Sequence, residues 1–115
     1  MKILVIEDNP DISYLINYIL EDEGHSVESF SDAQGLDNIA EMAPDVVLMD
    51  EILAGARGSE LCKKLKADPA TAHLKVILMS AVTHVAEIAA KCGADAYIEK
   101  PFDIDVLINE IKSFA

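Results

Sequence analysis

Three short runs of this chain are almost wholly aliphatic: Ile3-Leu4-Val5-Ile6, Val46-Val47-Leu48-Met49 and Val76-Ile77-Leu78-Met79. Each is too short for a helix and lacks the polar alternation of a half-exposed strand. They read as strands covered on both faces, which is the situation inside a parallel sheet. Parallel neighbours cannot be joined by a tight turn, so a helix has to cross between them. The intervening segments supply the helices. Ile12, Leu15, Ile16, Ile19 and Leu20 share one helical face, as do Leu36, Ile39, Ala40 and Ala43. Val85, Ile88, Ala89 and Cys92 repeat the spacing, followed by Ile104, Leu107, Ile108 and Ile111. A shorter helix is placed around Leu61 and Leu65.

Local signals mark the boundaries. Asn9 is a cap with Pro10 in the first turn, Gly24 closes that helix, and Ser31 with Gln34 fits a capping box. Ser26–Phe30 and Ala96–Glu99 are strands with more polar residues, suited to sheet edges. The alternation of strand and helix occurs five times, which predicts an α/β fold with right-handed crossovers and helices on both faces of the sheet. Residues 1–115 are read as one domain. The three most apolar strands belong at the centre, and the doubly wound order 2-1-3-4-5, with five strands and five helices, meets that demand.

Charge narrows the functions open to such a fold. The formal charge is −12, and a direct nucleic-acid binder needs a basic footprint instead. The acidity is concentrated: residues 1–50 carry twelve acids and one base, while residues 51–115 carry nine acids and eight bases. No apolar run approaches the roughly 20 residues that cross a bilayer, and Lys2 is followed by a short apolar stretch and then acids, unlike a signal peptide. Cys62 and Cys92 lack any ligand spacing and read as reduced core residues. The expected compartment is cytoplasmic.

Ligands of an open parallel sheet bind outside the carboxyl ends of its strands, where the strand order reverses. At that rim the sequence places Glu7 and Asp8 after the first strand, Asp50 at the end of the third, Ser80 at the end of the fourth and Lys100-Pro101 after the fifth. Three crowded carboxylates repel one another unless they share a cation. Hard oxygen donors favour Mg²⁺ over zinc. Lys100 is a point charge suited to a phosphoryl oxygen or a carboxylate, and the Ser80 hydroxyl is a hydrogen-bond donor. The set fits the placing of a phosphoryl group on a carboxylate. Neither G-x-G-x-x-G nor G-x-x-x-x-G-K-[ST] follows the first strand, where Glu7-Asp8-Asn9-Pro10 stands, so the nucleotide-binding reading falls.

In this order and on these elements, the residues resemble the receiver domain of two-component response regulators, from Lys2 to about Phe114. The resemblance implies a flavodoxin-like fold. It matches Glu7 and Asp8 to the family's acidic pair, Asp50 to the phosphoacceptor, Ser80 to the hydroxyl, Lys100 to the lysine, Tyr97 to the aromatic switch position and Gly58 to the glycine beyond the phosphoacceptor. It further implies that Asp50 takes a phosphoryl group from a histidine kinase or phosphotransfer protein. Mg²⁺ would be held directly by Asp8, mainly through water by Glu7, and by Asp50 and the backbone carbonyl of Ile52. Ser80 and Lys100 would then contact the phosphoryl oxygens, and Tyr97 would turn inward and remodel the face of the fourth helix, fifth strand and fifth helix. Inverting a two-state population from 1:99 to 99:1 takes about 5.5 kcal/mol, which several charge-assisted hydrogen bonds and a metal supply. The protein is then a signalling switch that promotes its own phosphorylation and dephosphorylation, not a turnover enzyme.

The chain also departs from the family. Ala54 stands where a proline is usual and Arg57 where an acid or asparagine is common, so the loop Glu51–Gly58 is expected to be looser or differently shaped. Glu51 adds an acid beside the nucleophile, with strand alternation pointing it away. Ile52 and Val82 are apolar at positions that flank the phosphoryl group in the family, which predicts slow self-dephosphorylation. His25, His73 and His84 read as surface residues, and Arg57, Lys63, Lys64 and Lys66 as a solvated helix face. Two rival readings stand beside it: a pseudo-receiver, the same fold binding partners without phosphorylation, and, from another class, a phosphatase with an aspartyl nucleophile, which would want an aspartate where Ile52 stands. The sequence ends one helix after Lys100, so the output is expected to be a downstream protein target or an effector domain of a longer regulator. Direct contact with nucleic acid or membrane is not expected, and a phosphorylation-dependent homodimer through the fourth-to-fifth-helix face stays open.

Overall fold

A computed structural model describes residues 1–115 throughout. In chain order the elements are β1 (Lys2–Ile6), α1 (Pro10–Asp22), β2 (Ser26–Phe30), a 3-10 turn (Ala33–Leu36), α2 (Ile39–Met42), β3 (Val46–Asp50), β4 (Ile52–Leu53), β5 (Ala56–Arg57), α3 (Gly58–Ala67), β6 (Lys75–Ser80), α4 (Val85–Cys92), β7 (Ala96–Glu99) and α5 (Ile104–Lys112). Five strands form one parallel sheet in the order β2-β1-β3-β6-β7. This is the doubly wound, flavodoxin-like order that the aliphatic runs predict.

The two-residue period of a strand divides each aliphatic run between two cores. Leu4, Ile6, Val47, Met49, Val76 and Leu78 pack with residues of α2, α3 and α4. Ile3, Val5, Val46, Leu48, Ile77 and Met79 pack on the opposite face with residues of α1 and α5. Every position of the central strand β3 is buried, whereas β2 alternates between exposed and half-buried at the sheet edge. Burying one large aliphatic side chain is worth about 1.5–3 kcal/mol, so these two layers hold the strand ends in register. Cys62 and Cys92 are free and buried in the first core. Burial, with the neighbouring Cys92, pushes the Cys62 thiol up to about 12, leaving little reactive thiolate at neutral pH.

The N-terminus of α1 is capped as its sequence indicates. The Asn9 side chain accepts from the amides of Asp11 and Ile12 at 3.0 and 3.2 Å, and Gly24 takes the positive φ that follows the helix. Four features differ from expectation. The helix read through Leu36, Ile39, Ala40 and Ala43 is split into the 3-10 turn and the one-turn α2. Gly35 lies so close to Phe30 that a Cβ there would meet its side chain at 2.7 Å, and Ala43, which precedes Pro44, leaves the helix with a positive φ of 49°. The capping acceptor before Gln34 is Asp32, whose side chain takes the Gln34 amide at 2.9 Å, in place of Ser31. His25 is half-buried, with Nδ1 3.1 Å from the N-terminal ammonium; burial and that charge hold its pKa below the usual value. Lys66 is no solvated cation: its Nζ donates to the Leu74 carbonyl at 2.7 Å and to Asp95 at 2.8 Å, tying α3 to the ends of β6 and β7.

Candidate functional site

The carboxyl ends of β1, β3, β6 and β7 meet at one rim, and the sheet register sets their positions. Ile6 pairs with Met49, Asp50 with Met79, and Ser80 with Glu99. The residues that follow each strand are therefore brought together despite lying up to 93 positions apart in the chain. The Lys100 Nζ donates to Glu7 Oε2 at 2.7 Å and to Asp50 Oδ2 at 3.0 Å. Glu7 and Asp50 are only 2% and 7% exposed. Asp8 faces solvent, yet oxygens of Glu7, Asp8 and Asp50 all lie within 4.8 Å of one another.

The backbone completes the setting. The Asn9 amide donates to Glu7 Oε1 at 3.2 Å, and the Ile52 amide lies 3.4 Å from Asp50 Oδ1. Ser80 is buried at the end of β6, its hydroxyl accepting the Val82 amide at 3.1 Å, while its carbonyl accepts the Lys100 amide at 2.8 Å. The Lys100-Pro101 bond is cis. Tyr97 stands apart from this cluster: it is 41% exposed on β7, lining a groove of about 650 Å³ between α4, β7 and α5. Ile52 is half exposed beside Asp50.

Electrostatics show an uncompensated site. Burial pushes the Glu7 carboxyl up, and the Asp50 charge adds to this, against the lowering effect of its bond to Lys100. Burial alone would pull the Lys100 ammonium down, but its bonds to Glu7 and Asp50 outweigh this and hold it above the usual lysine value. One ammonium thus pairs with two members of a cluster of three carboxylates. The donors are all oxygen, with an open side at Asp8, and this fits a hard divalent cation that keeps several waters, as Mg²⁺ does.

The loop after β3 is not loose. Ile52–Leu53 and Ala56–Arg57 pair as a small antiparallel hairpin, with Gly55 at φ 75° in its turn. Gly58 sits at the first turn of α3, where an added Cβ would lie 2.2 Å from the Asp50 carbonyl oxygen. A glycine is needed there for close approach, since its φ is not in the left-handed region. Glu51, which the sequence places only by strand alternation, is buried and accepts the Ser59 amide at 2.6 Å and the Ser59 hydroxyl at 2.9 Å. No local motif announces this bond, because the hairpin decides which residue returns to Glu51.

Comparison with known proteins agrees with this geometry. The phosphate regulon transcriptional regulatory protein PhoB of Rhizobium meliloti is 34% identical over 97% of this chain and 51% of its own length. The chain spans about half the length of the curated relatives it matches. Among solved structures, a CheY-like response regulator receiver domain protein of Methanospirillum hungatei is 30% identical, with a TM-score of 0.88 over 97% of this chain and 90% of that one. The BeF3-activated DrrB receiver domain is 28% identical, with a TM-score of 0.86 over 98% and 95%. The family profile described as response regulator receiver domain matches residues 3–112, and the chain belongs to that family.

Proposed function

We propose that this protein is a Mg²⁺-dependent signalling switch that takes a phosphoryl group on Asp50 from a histidine kinase or phosphotransfer protein. The observation that carries the reading is the ammonium of Lys100 bridging Glu7 and Asp50 within a buried carboxylate cluster that Asp8 completes at the surface. Asp50 is the nucleophile: one of its carboxylate oxygens attacks phosphorus, the P–N bond of the phosphohistidine breaks, and the imidazole leaves as an acyl phosphate forms. Asp8, Asp50 and the Ile52 carbonyl would hold Mg²⁺, with Glu7 acting mainly through water. Bound there, the ion neutralises charge on the transferring group. Lys100 is already anchored 3.0 Å from Asp50, so it meets the arriving phosphoryl oxygens without a large movement.

Ser80 carries the signal outward. Its hydroxyl now accepts the Val82 amide; turning to a phosphoryl oxygen releases that amide and draws the loop after β6 inward. Tyr97, exposed on β7, then packs inward and changes the α4–β7–α5 face that a downstream target or an attached effector domain reads. This is a two-state element biased by one dianionic group.

Amide chemical shifts recorded while beryllofluoride and Mg²⁺ are added test this reading. The expected changes start at Asp50, Val82 and Lys100 and extend to Tyr97 and α4. A folded protein whose spectrum ignores both additions would overturn it in favour of a phosphorylation-independent interaction module.

A further inference from the structure

We propose that Glu51 is a positioning residue for the phosphoryl-transfer site, a buried latch that fixes the Ile52 carbonyl and so sets the affinity for Mg²⁺. The inference rests on the assignment of Asp50 and Ile52 given above. Glu51 lies between these two residues and is held at every polar group it has. Its amide donates to the Met79 carbonyl of β6 at 2.8 Å, and its carbonyl accepts the Gly58 amide at 2.9 Å. Its carboxylate accepts both the amide and the hydroxyl of Ser59. Only 2% of the residue is exposed.

A buried carboxylate is costly unless its oxygens are hydrogen-bonded, so an acid at this place calls for a purpose that an aliphatic residue would not serve. The purpose is visible at the start of α3. Arg57, which flanks that helix, makes no side-chain cap bond, and Glu51 caps the first-turn amide instead. The loop between has Ala54 where the family usually has proline, and its hairpin is only two residue pairs long. The latch therefore does what a stiff loop would do: it joins the end of β3 to α3 and leaves Ile52 one way to present its carbonyl. The Arg57 guanidinium, 3.9 Å from Glu51 and itself mostly exposed, adds little to this.

The test compares Mg²⁺ titrations of the full chain for the native protein, Glu51→Ala, Glu51→Gln and Ser59→Ala, with thermal unfolding in chelator as the folding check. Glutamine keeps an acceptor for the Ser59 amide and a donor for its hydroxyl, but carries no charge. Glu51→Ala is expected to weaken Mg²⁺ binding on the order of tenfold, as loss of a partner behind a metal ligand does, with the phosphorylation rate at saturating Mg²⁺ little changed. Glu51→Gln is expected to bind like the native protein and Ser59→Ala to fall between. An unchanged affinity in folded Glu51→Ala would overturn the latch, and so would a Gln variant as weak as the Ala variant, since the effect would then be one of charge. Should Glu51→Ala fail to fold, the Gln and Ser59→Ala affinities decide alone. If the native protein itself bound no Mg²⁺, the site assignment would fail before the latch was reached.

Discussion

Replacing Gly58 by alanine tests how closely α3 is pressed against Asp50. The new Cβ would lie 2.2 Å from the Asp50 carbonyl oxygen, and 3.0 Å from both the carbonyl carbon and Leu78 Cδ1. A carbon and a carbonyl oxygen rest about 3.3 Å apart at close contact, so roughly 1 Å has to be found. The obstacle is backbone and cannot swing away. Withdrawal of the helix by that amount stretches the Gly58 and Ser59 amide bonds to Glu51 beyond useful length. Overpacking of this kind costs about 1–3 kcal/mol and each weakened bond about 1 kcal/mol, against a gain below about 1 kcal/mol from helix propensity. A net loss of about 3 kcal/mol follows, or a Tm lowered by roughly 10 °C at this size. Urea and thermal unfolding in chelator measure it. Gly55→Ala is the control: nothing lies within 4 Å of its Cβ, so its cost comes from its φ of 75° alone, about 1–2 kcal/mol. A Gly58→Ala protein as stable as the native one would refute the reasoning, because the close approach would then constrain nothing.

Three further outcomes follow from the same structure. Lys100→Met leaves Glu7 and Asp50 buried without their cation and is expected to lose about 3 kcal/mol in chelator, with Mg²⁺ restoring more stability to the variant than to the native protein; equal Mg²⁺ effects in thermal melts would contradict the shared role. The Asp95 carboxyl is partly buried, which alone would raise its pKa, but the Lys66 hydrogen bond, the Val76 amide and the Lys75 charge together hold it below the ordinary value. Its stabilisation is therefore full above the unfolded carboxylate pKa of about 4 and fades as pH falls through the lower folded value, so the cost of Asp95→Asn, about 1 kcal/mol at neutral pH in this solvent-screened place, should shrink in denaturant titrations taken to acid. On the proposed assignment of Asp50 as phosphoacceptor, the positions that flank the phosphoryl group in the family hold apolar Ile52 and Val82, neither of which can orient an attacking water; the purified phosphoprotein should decay over minutes or longer, and a lifetime of seconds by phosphate release would contradict this.

The parts of the fold legible in the sequence are those decided by burial over consecutive residues. Ile3 to Ile6 are apolar at every position because both faces of β1 are covered, and Ser26 to Phe30 alternate because β2 is an edge. The rim was legible for a related reason: once the strands are placed, the residues that follow them must converge. The rest depends on partners that the local pattern does not name. Leu36, Ile39 and Ala43 keep helical spacing although the backbone breaks between them, since two short turns satisfy the same apolar positions, and what separates the cases is Gly35 against Phe30 together with Ala43 before Pro44. Lys66 reads as solvated until the register of β6 and β7 brings Asp95 beside it. Glu51 is the clearest instance, because its value lies in a bond to Ser59 that exists only if the intervening residues fold into a hairpin.

The measurement that bears most directly on the central claim is the intact mass of the protein after incubation with a small-molecule phosphoryl donor and Mg²⁺, beside Asp50→Asn and a sample in chelator. The account predicts a single phosphoryl adduct on the native protein and none in either comparison. An adduct that survives Asp50→Asn, or a folded native protein that binds Mg²⁺ and takes no phosphoryl group, would contradict it.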